Sequence, residues 1–260
     1  MGRAGANCLA IRGATASAFE AMRWVFAFLL MLTSAWGVRA AEGVDLALVL
    51  VTDVSRSVHD GEFALMKDGY TSAFNDADVL KAIRGGALGR IAVSYVEFAG
   101  SSEVRTVVNW TVISDAASAA AFTKKLQAAP RSFWGRTSIS AGMALALRNL
   151  ASSGYEAQRQ VIDVCGDGTN NAGRDVTEVR DEAVERGITI NGLAIINERP
   201  MSWAQAHTQP EGGLDTWYRE NVIGGPGSFV LTIRDFRSFG EAMRKKLLNE
   251  IASNSGRETL

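Results

Sequence analysis

Apolar positions along the chain repeat with two different periods. Glu42 to Thr52 is almost continuously apolar, which predicts a strand buried on both faces of a parallel sheet. His59 to Asn75 then sets Phe63, Met66, Tyr70 and Phe74 at three- and four-residue spacing, the period of an amphipathic helix. A short helix is expected from Asp78 to Ile83, capped by Asp76 or Asp78 and ended by Gly85-Gly86. Arg90 to Phe98 and Glu103 to Val112 read as strands joined by the turn Gly100-Ser101-Ser102, hence as an antiparallel hairpin. Ser114-Asp115 opens a helix that runs to Ala128 and stops before Pro130. An alanine- and leucine-rich helix follows from Ser138 to Leu150.

Strand and helix then alternate. Arg159 to Gly166 is a strand, Asp175 to Arg186 a helix ended by Gly187, and Thr189 to Ile196 a strand. Asn197 to Gly227 is less regular, with a short helix at Leu214 to Asn221 and a turn at Gly224-Gly225-Pro226-Gly227. Ser228 to Leu231 gives a brief sixth strand. Phe236 to Ala252 closes the chain as an amphipathic helix, with Phe239, Met243, Leu247, Leu248 and Ile251 on its apolar side. Residues 253–260 are polar and expected to fray. This order predicts an α/β fold: a doubly wound, mostly parallel central sheet with one antiparallel edge strand and helices on both faces. No internal repeat is visible.

The amino terminus follows a different logic. Met22-Arg23 is a positive start, Trp24 to Leu32 a short apolar run, and Val38-Arg39-Ala40 a signal-peptidase pattern. A membrane span needs about 20 apolar residues, more than this run has. Residues 1–40 are therefore read as a leader and secretory signal peptide, with translation starting at Met22, and residues 41–260 as a single domain. A retained anchor is the alternative. The expected location is secreted or periplasmic.

Composition adds limits. Of 260 residues, 47% are hydrophobic and 21% charged, enough for a sizeable core. Removing the four arginines and one glutamate of the leader leaves 23 basic and 27 acidic residues, a net charge of −4. No basic patch is present, so nucleic acid is a poor candidate partner. Cys8 leaves with the leader and Cys165 stands alone, which excludes an intramolecular disulfide in the mature chain. Cys165 lies in the apolar run Val161 to Cys165 and reads as a small buried hydrophobe. Asn109-Trp110-Thr111 matches a glycosylation sequon but reads as ordinary strand. In the irregular segment, Trp203, Trp217 and Tyr218 read as packing residues ahead of a partner surface.

The chemistry gathers at strand ends. In an open parallel sheet, ligands bind beyond the carboxyl ends of the strands, where the strand order switches. Asp53-Val54-Ser55-Arg56-Ser57, Thr137 and Asp167 all fall at that edge, two carboxylates and three hydroxyls. Magnesium takes about six oxygens and usually keeps several waters, so this set could hold it with a position left open. The competing reading is capping, Ser57 for the first helix and Thr137 for the alanine-rich one.

Asp53-x-Ser55-x-Ser57, Thr137 in Gly135-Arg136-Thr137-Ser138, and Asp167 in Gly166-Asp167-Gly168 resemble the metal-ion-dependent adhesion site of von Willebrand factor A domains. Arg90 to Phe98, Val161 to Asn171, Gly187 to Leu193 and Gly224 to Gly227 resemble a narrower group, the secreted bacterial DUF1194 proteins. The resemblance spans residues 42 to 252. It implies that Ser55, Ser57 and Thr137 touch a divalent cation directly or through water, and that Asp53 and Asp167 supply negative charge. The ion would be magnesium, with manganese or calcium as alternatives, and a protein partner's carboxylate would complete its shell. One departure is Cys165-Gly166 ahead of Asp167, where the wider family commonly has a hydroxylated residue.

The leading expectation is thus a binding module without chemistry of its own. A magnesium-dependent hydrolase or phosphoryl-transfer enzyme is the alternative on the same oxygens. Against it, no HExxH, GxSxG or GxxxxGK[ST] motif occurs. His59 and His207 form no recognisable pair, and His59 is expected on a helix surface. A phosphate loop at Gly166 to Gly173 is a third reading, and its glycines are too sparse to be diagnostic.

Overall fold

Strand β1 (Glu42–Asp53) is the centre on which the other elements are laid. The structure is a computed structural model and describes residues 41–197 and 203–252; the leader, the expected cleavage after Ala40 and the polar tail lie outside the described residues. After β1 come α1 (Asp60–Phe74), α2 (Ala77–Arg84), the strands β2 (Ile91–Phe98) and β3 (Val104–Ile113), and α3 (Ala116–Ala128). Next are α4 (Ile139–Ala151), β4 (Tyr155–Gly166), α5 (Val176–Glu185) and β5 (Thr189–Ile195). The chain ends with α6 (Gln205–Thr208), α7 (Leu214–Asn221), β6 (Val230–Ile233), a 3-10 turn at Phe236–Ser238 and α8 (Phe239–Ala252).

The six strands form one sheet in the order β3-β2-β1-β4-β5-β6. All neighbours are parallel except β2 and β3, the expected hairpin at the edge. Side chains alternate across the strands, so β1 feeds two cores. Leu46, Leu48 and Leu50 pack on one face with α1 and α8. Ala47, Val49 and Val51 pack on the other with α4, α5 and α7. Helix α4 lies so close that a Cβ on Gly142 would stand 2.8 Å from Val51 and 2.9 Å from the Phe98 ring. No larger residue fits there without moving the helix.

Strand order runs outward from β1 to β2 and β3, then crosses back to β4 on the other side of β1. Loops leaving β1 and β4 therefore diverge, and a crevice opens between them at their carboxyl ends. Asp53 and Asp167 stand there.

Three expectations shift. β4 begins at Tyr155, four residues early, because its polar first half still pairs with Glu42 to Ala47 of β1. β6 covers Val230–Ile233 rather than Ser228–Leu231, in register with Gly192 to Ile195. The closing helix starts at Phe239, since Asp235 caps a separate 3-10 turn first. Among the described residues, no helix is long and apolar enough to cross a membrane.

Candidate metal centre

Neither hydroxyl suspected of capping is a cap. His59 caps α1 by accepting the Glu62 N–H, while the Glu62 carboxylate takes the His59 N–H. Ser138 caps α4 by accepting the Ala141 N–H. Ser57 and Thr137 are thus free for the crevice.

The first loop is bent back on itself. Asp53 Oδ1 accepts the Ser55 N–H at 2.7 Å, a local turn typical of aspartate. Arg131 holds the same loop from outside. Its guanidinium donates to the carbonyls of Val54 and Ser55, both at 2.7 Å, and stacks on Trp134 at 3.6 Å. The second loop is tied at both ends. Ser138 N–H donates to Ala99 at the end of β2, and Arg56 N–H donates to Gly135. Thr137 donates its N–H to Asn171 Oδ1 at 2.9 Å and accepts the Asn171 and Ala172 N–H groups on its carbonyl.

These loops bring all five expected residues together. Thr137 donates its hydroxyl to Ser55 Oγ at 3.1 Å, and Ser55 Oγ lies 3.1 Å from Ser57 Oγ. Ser57 donates to Asp167 Oδ1 at 2.7 Å. With the Ser57 proton spent on Asp167, Ser55 must donate to Ser57, and the protons run one way from Thr137 to Asp167. The second oxygens of Asp53 and Asp167 are buried and accept no hydrogen bond. An unmatched buried carboxylate oxygen is costly and asks for a partner.

Electrostatics point the same way. Burial pushes Asp53 up to about 6, against the opposing pull of its Ser55 hydrogen bonds and of Arg131. Burial and the neighbouring Asp53 charge push Asp167 up to about 8. The protein alone holds the two negative charges poorly, and a cation between them would reverse that. Neighbouring oxygens on a magnesium octahedron lie about 3.0 Å apart, since each sits about 2.1 Å from the ion. The 2.7 and 3.1 Å spacings suit such a set of ligands. The residues present therefore fit a small divalent cation. No group of three or more histidine, cysteine and acidic side chains converges among the described residues. The donors here are two carboxylates and three hydroxyls.

Above the oxygens is a pocket of about 340 Å³, lined by Ser55, Ser57 and Thr137 and rimmed by Arg56, Arg136, Trp203 and His207. Trp203 is 48% exposed, which corrects the packing expectation for that residue. The segment around it folds over the crevice rather than into a core, and its ring takes the Arg56 guanidinium at 4.7 Å. Tyr218 and Trp217 do pack, Tyr218 completely buried and Trp217 against the α4 side of the sheet. Cys165 is buried and unpaired as expected. Sequence reasoning did not find Arg131, Asn171 or His207. Asn171 carried a weak signal, four residues past Asp167 in the same loop. Arg131 and His207 carried none, because neither belongs to a periodic pattern.

Fold and site together define a von Willebrand factor A-type domain. The chain belongs to the family described as "Protein of unknown function (DUF1194)", whose model matches residues 43–255. Solved structures share the fold at low identity. One is proximal thread matrix protein 1 from the mussel byssus with a zinc-occupied MIDAS motif, at 17% identity and TM-score 0.56, covering 81% of this chain and 48% of that one. Another is the pilus adhesin SpaC of Lactobacillus rhamnosus GG in its open conformation, at 14% identity and TM-score 0.56, covering 80% and 30%. A third is the von Willebrand factor type A protein from Catenulispora acidiphila, at 14% identity and TM-score 0.51, covering 79% and 42%. The chain thus spans less than half of each of these proteins. No curated protein matches it significantly.

Proposed function

We propose that residues 41–260 are a secreted or periplasmic binding module that captures a protein partner through a divalent cation. Asp53, Ser55, Ser57, Thr137 and Asp167 hold the ion, magnesium first and manganese next. Calcium prefers longer bonds of about 2.3–2.6 Å and would spread the hydroxyls apart. The observation that carries this reading is the pair of unpartnered carboxylate oxygens, on Asp53 and Asp167, buried in one cluster with three hydroxyls. The cation supplies an incompletely neutralised charge, and the open pocket above lets an outside carboxylate reach it. The residues themselves do the rest: Arg131 fixes the first loop, Asn171 the second, and the hydroxyls turn their lone pairs inward. The adhesin and matrix proteins of the same fold support a binding role.

Calorimetric titration with magnesium tests the centre. Wild type should bind one equivalent and Asp53→Ala none; equal binding by both would remove the site. Capture of partners from the extracytoplasmic fraction, lost on chelation, tests the role.

One observation favours a second reading, a metal-dependent hydrolase. His207 stands on the pocket rim, and burial followed by the charges of Arg56 and Arg136 lowers its pKa, so it is neutral at pH 7. A neutral imidazole can act as a base. Among the described residues, no hydrogen bond fixes its ring, which instead stacks on Trp203 at 6.3 Å. Metal-dependent cleavage of a generic phosphoester, abolished in His207→Ala, would establish this reading over the first.

A further inference from the structure

The rim of the pocket carries more positive charge than holding a cation requires. Arg56 and Arg136 both line it and both are exposed. Neither has an ion-pair partner among the described residues, although Arg90, Arg174, Arg219 and Arg244 all do. The nearby acids are already engaged, Asp60 with Arg131 at 3.5 Å and Glu62 with the His59 cap. A protein gains nothing by setting two bare guanidinium groups beside a bound cation. Their mutual repulsion weakens the metal site, so the arrangement makes sense only if something anionic arrives.

Counting charges sizes that anion. Asp53 and Asp167 together offset a divalent ion. The two arginines remain uncompensated. One incoming carboxylate would leave a positive charge behind; two would balance the site. Arg56 is held in place by its stacking on Trp203, so its fork is oriented before anything binds.

The surroundings narrow the class further. Trp203 is 48% exposed and Trp134 53% exposed, two of the five large hydrophobic side chains left open among the described residues. Trp203 lines the pocket, and Trp134 adjoins the lining residue Gly135. Rigid aromatic surface of this kind suits contact with a polypeptide. We infer that this face recognises an acidic segment of a partner protein, with one carboxylate for the metal and a second for Arg56 and Arg136, laid against Trp203. This inference rests on the metal-centre reading above and extends it to the identity of the ligand.

The test uses the mature chain in magnesium and three fluorescent peptides that share one flexible flank. They carry one aspartate, two adjacent aspartates, or two asparagines. Anisotropy should give binding about tenfold tighter for two aspartates than for one, and none for the asparagines. In the double variant Arg56→Gln/Arg136→Gln, the preference for two aspartates should disappear. Magnesium affinity, measured separately by calorimetry, should rise in that variant, because a neighbouring positive charge has been removed. A misfolded variant would lose both, so the opposite signs identify the arginines' role. Trp203→Ala should weaken the two-aspartate peptide about fivefold or more. Equal affinity for one and two aspartates in wild type overturns the inference, as does succinate competing as well as the two-aspartate peptide. Failure of wild type to bind magnesium at all would sink the metal-centre reading instead, and the calorimetric arm reports that separately.

Discussion

A methyl group at Gly166 would stand 2.9 Å from Tyr218 Oη and 3.0 Å from Asp53 Cβ. This explains why glycine precedes Asp167 where a hydroxylated residue was the familial expectation. Tyr218 fills the space that a side chain there would need. Gly166→Ala should lower magnesium affinity about tenfold by displacing Asp53, and cost about 1–3 kcal/mol of stability by overpacking. Calorimetry and urea unfolding would read the two effects. Asp167→Asn should act in opposite directions on the two. It should abolish the rise in melting temperature that magnesium gives, yet leave the metal-free protein more stable at pH 8.5 than wild type. It removes a charge that burial and Asp53 already oppose.

At the scale of elements, the closing helix α8 is fastened to the sheet by charge as well as by apolar contact. Lys246 reaches Asp163 in the middle of β4 at 3.0 Å and Glu250 at 2.9 Å, all three fully buried or nearly so. Asn191 on β5 donates to the same Glu250 oxygen at 2.8 Å. The apolar stripe of α8 was legible from the sequence, and Phe239, Met243, Leu247 and Ile251 are buried as it predicts. Lys246 and Glu250 were not, since charged residues at helical spacing read as a solvated face. Only the tertiary position of Asp163 makes their burial affordable. Lys246→Met should cost about 3–5 kcal/mol, because it leaves two buried acids without their cation. The loss should be larger at pH 8 than at pH 5. Burial already pushes Asp163 up to about 7, and without Lys246 its carboxyl would resist ionisation further.

The same contrast holds for the centre itself. Strand–helix order and the ends of β1 and β4 could be read from periodicity, which is a local property of the chain. The five oxygens could be read because they follow those ends. What fixes them comes from elsewhere: Arg131 reaches back 77 residues to Val54, and Asn171 reaches back 34 to Thr137. Such contacts depend on how loops cross, and no local pattern encodes them. The capping alternative for Ser57 and Thr137 was settled in the same way, by His59 and Ser138 taking the helix ends.

For the whole molecule, the carboxylates set a pH dependence. Folding raises Asp53 to about 6 and Asp167 to about 8 from an ordinary value of 3.8. An acid whose pKa rises on folding contributes stability below its unfolded pKa and loses it as pH climbs through the folded one. The metal-free domain should therefore melt progressively lower as pH goes from 5 to 9, with the steepest fall around 6 and 8. Magnesium at a hundred times its dissociation constant should add about 2.7 kcal/mol. That corresponds to roughly 5–10 °C for a domain of this size. The gain should be greatest at the alkaline end, and differential scanning calorimetry with and without chelator would show it.

The link from Ser57 to Asp167 spans 110 residues of sequence. A domain with Cys165 as its only thiol cannot staple itself covalently. An ion gripped at both ends of that span would serve as a removable staple, closing a loop of about half the domain. Chelation would then do to this protein what a reducing agent does to a disulfide-bonded one, and refolding rates should depend on metal as theirs depend on oxidation.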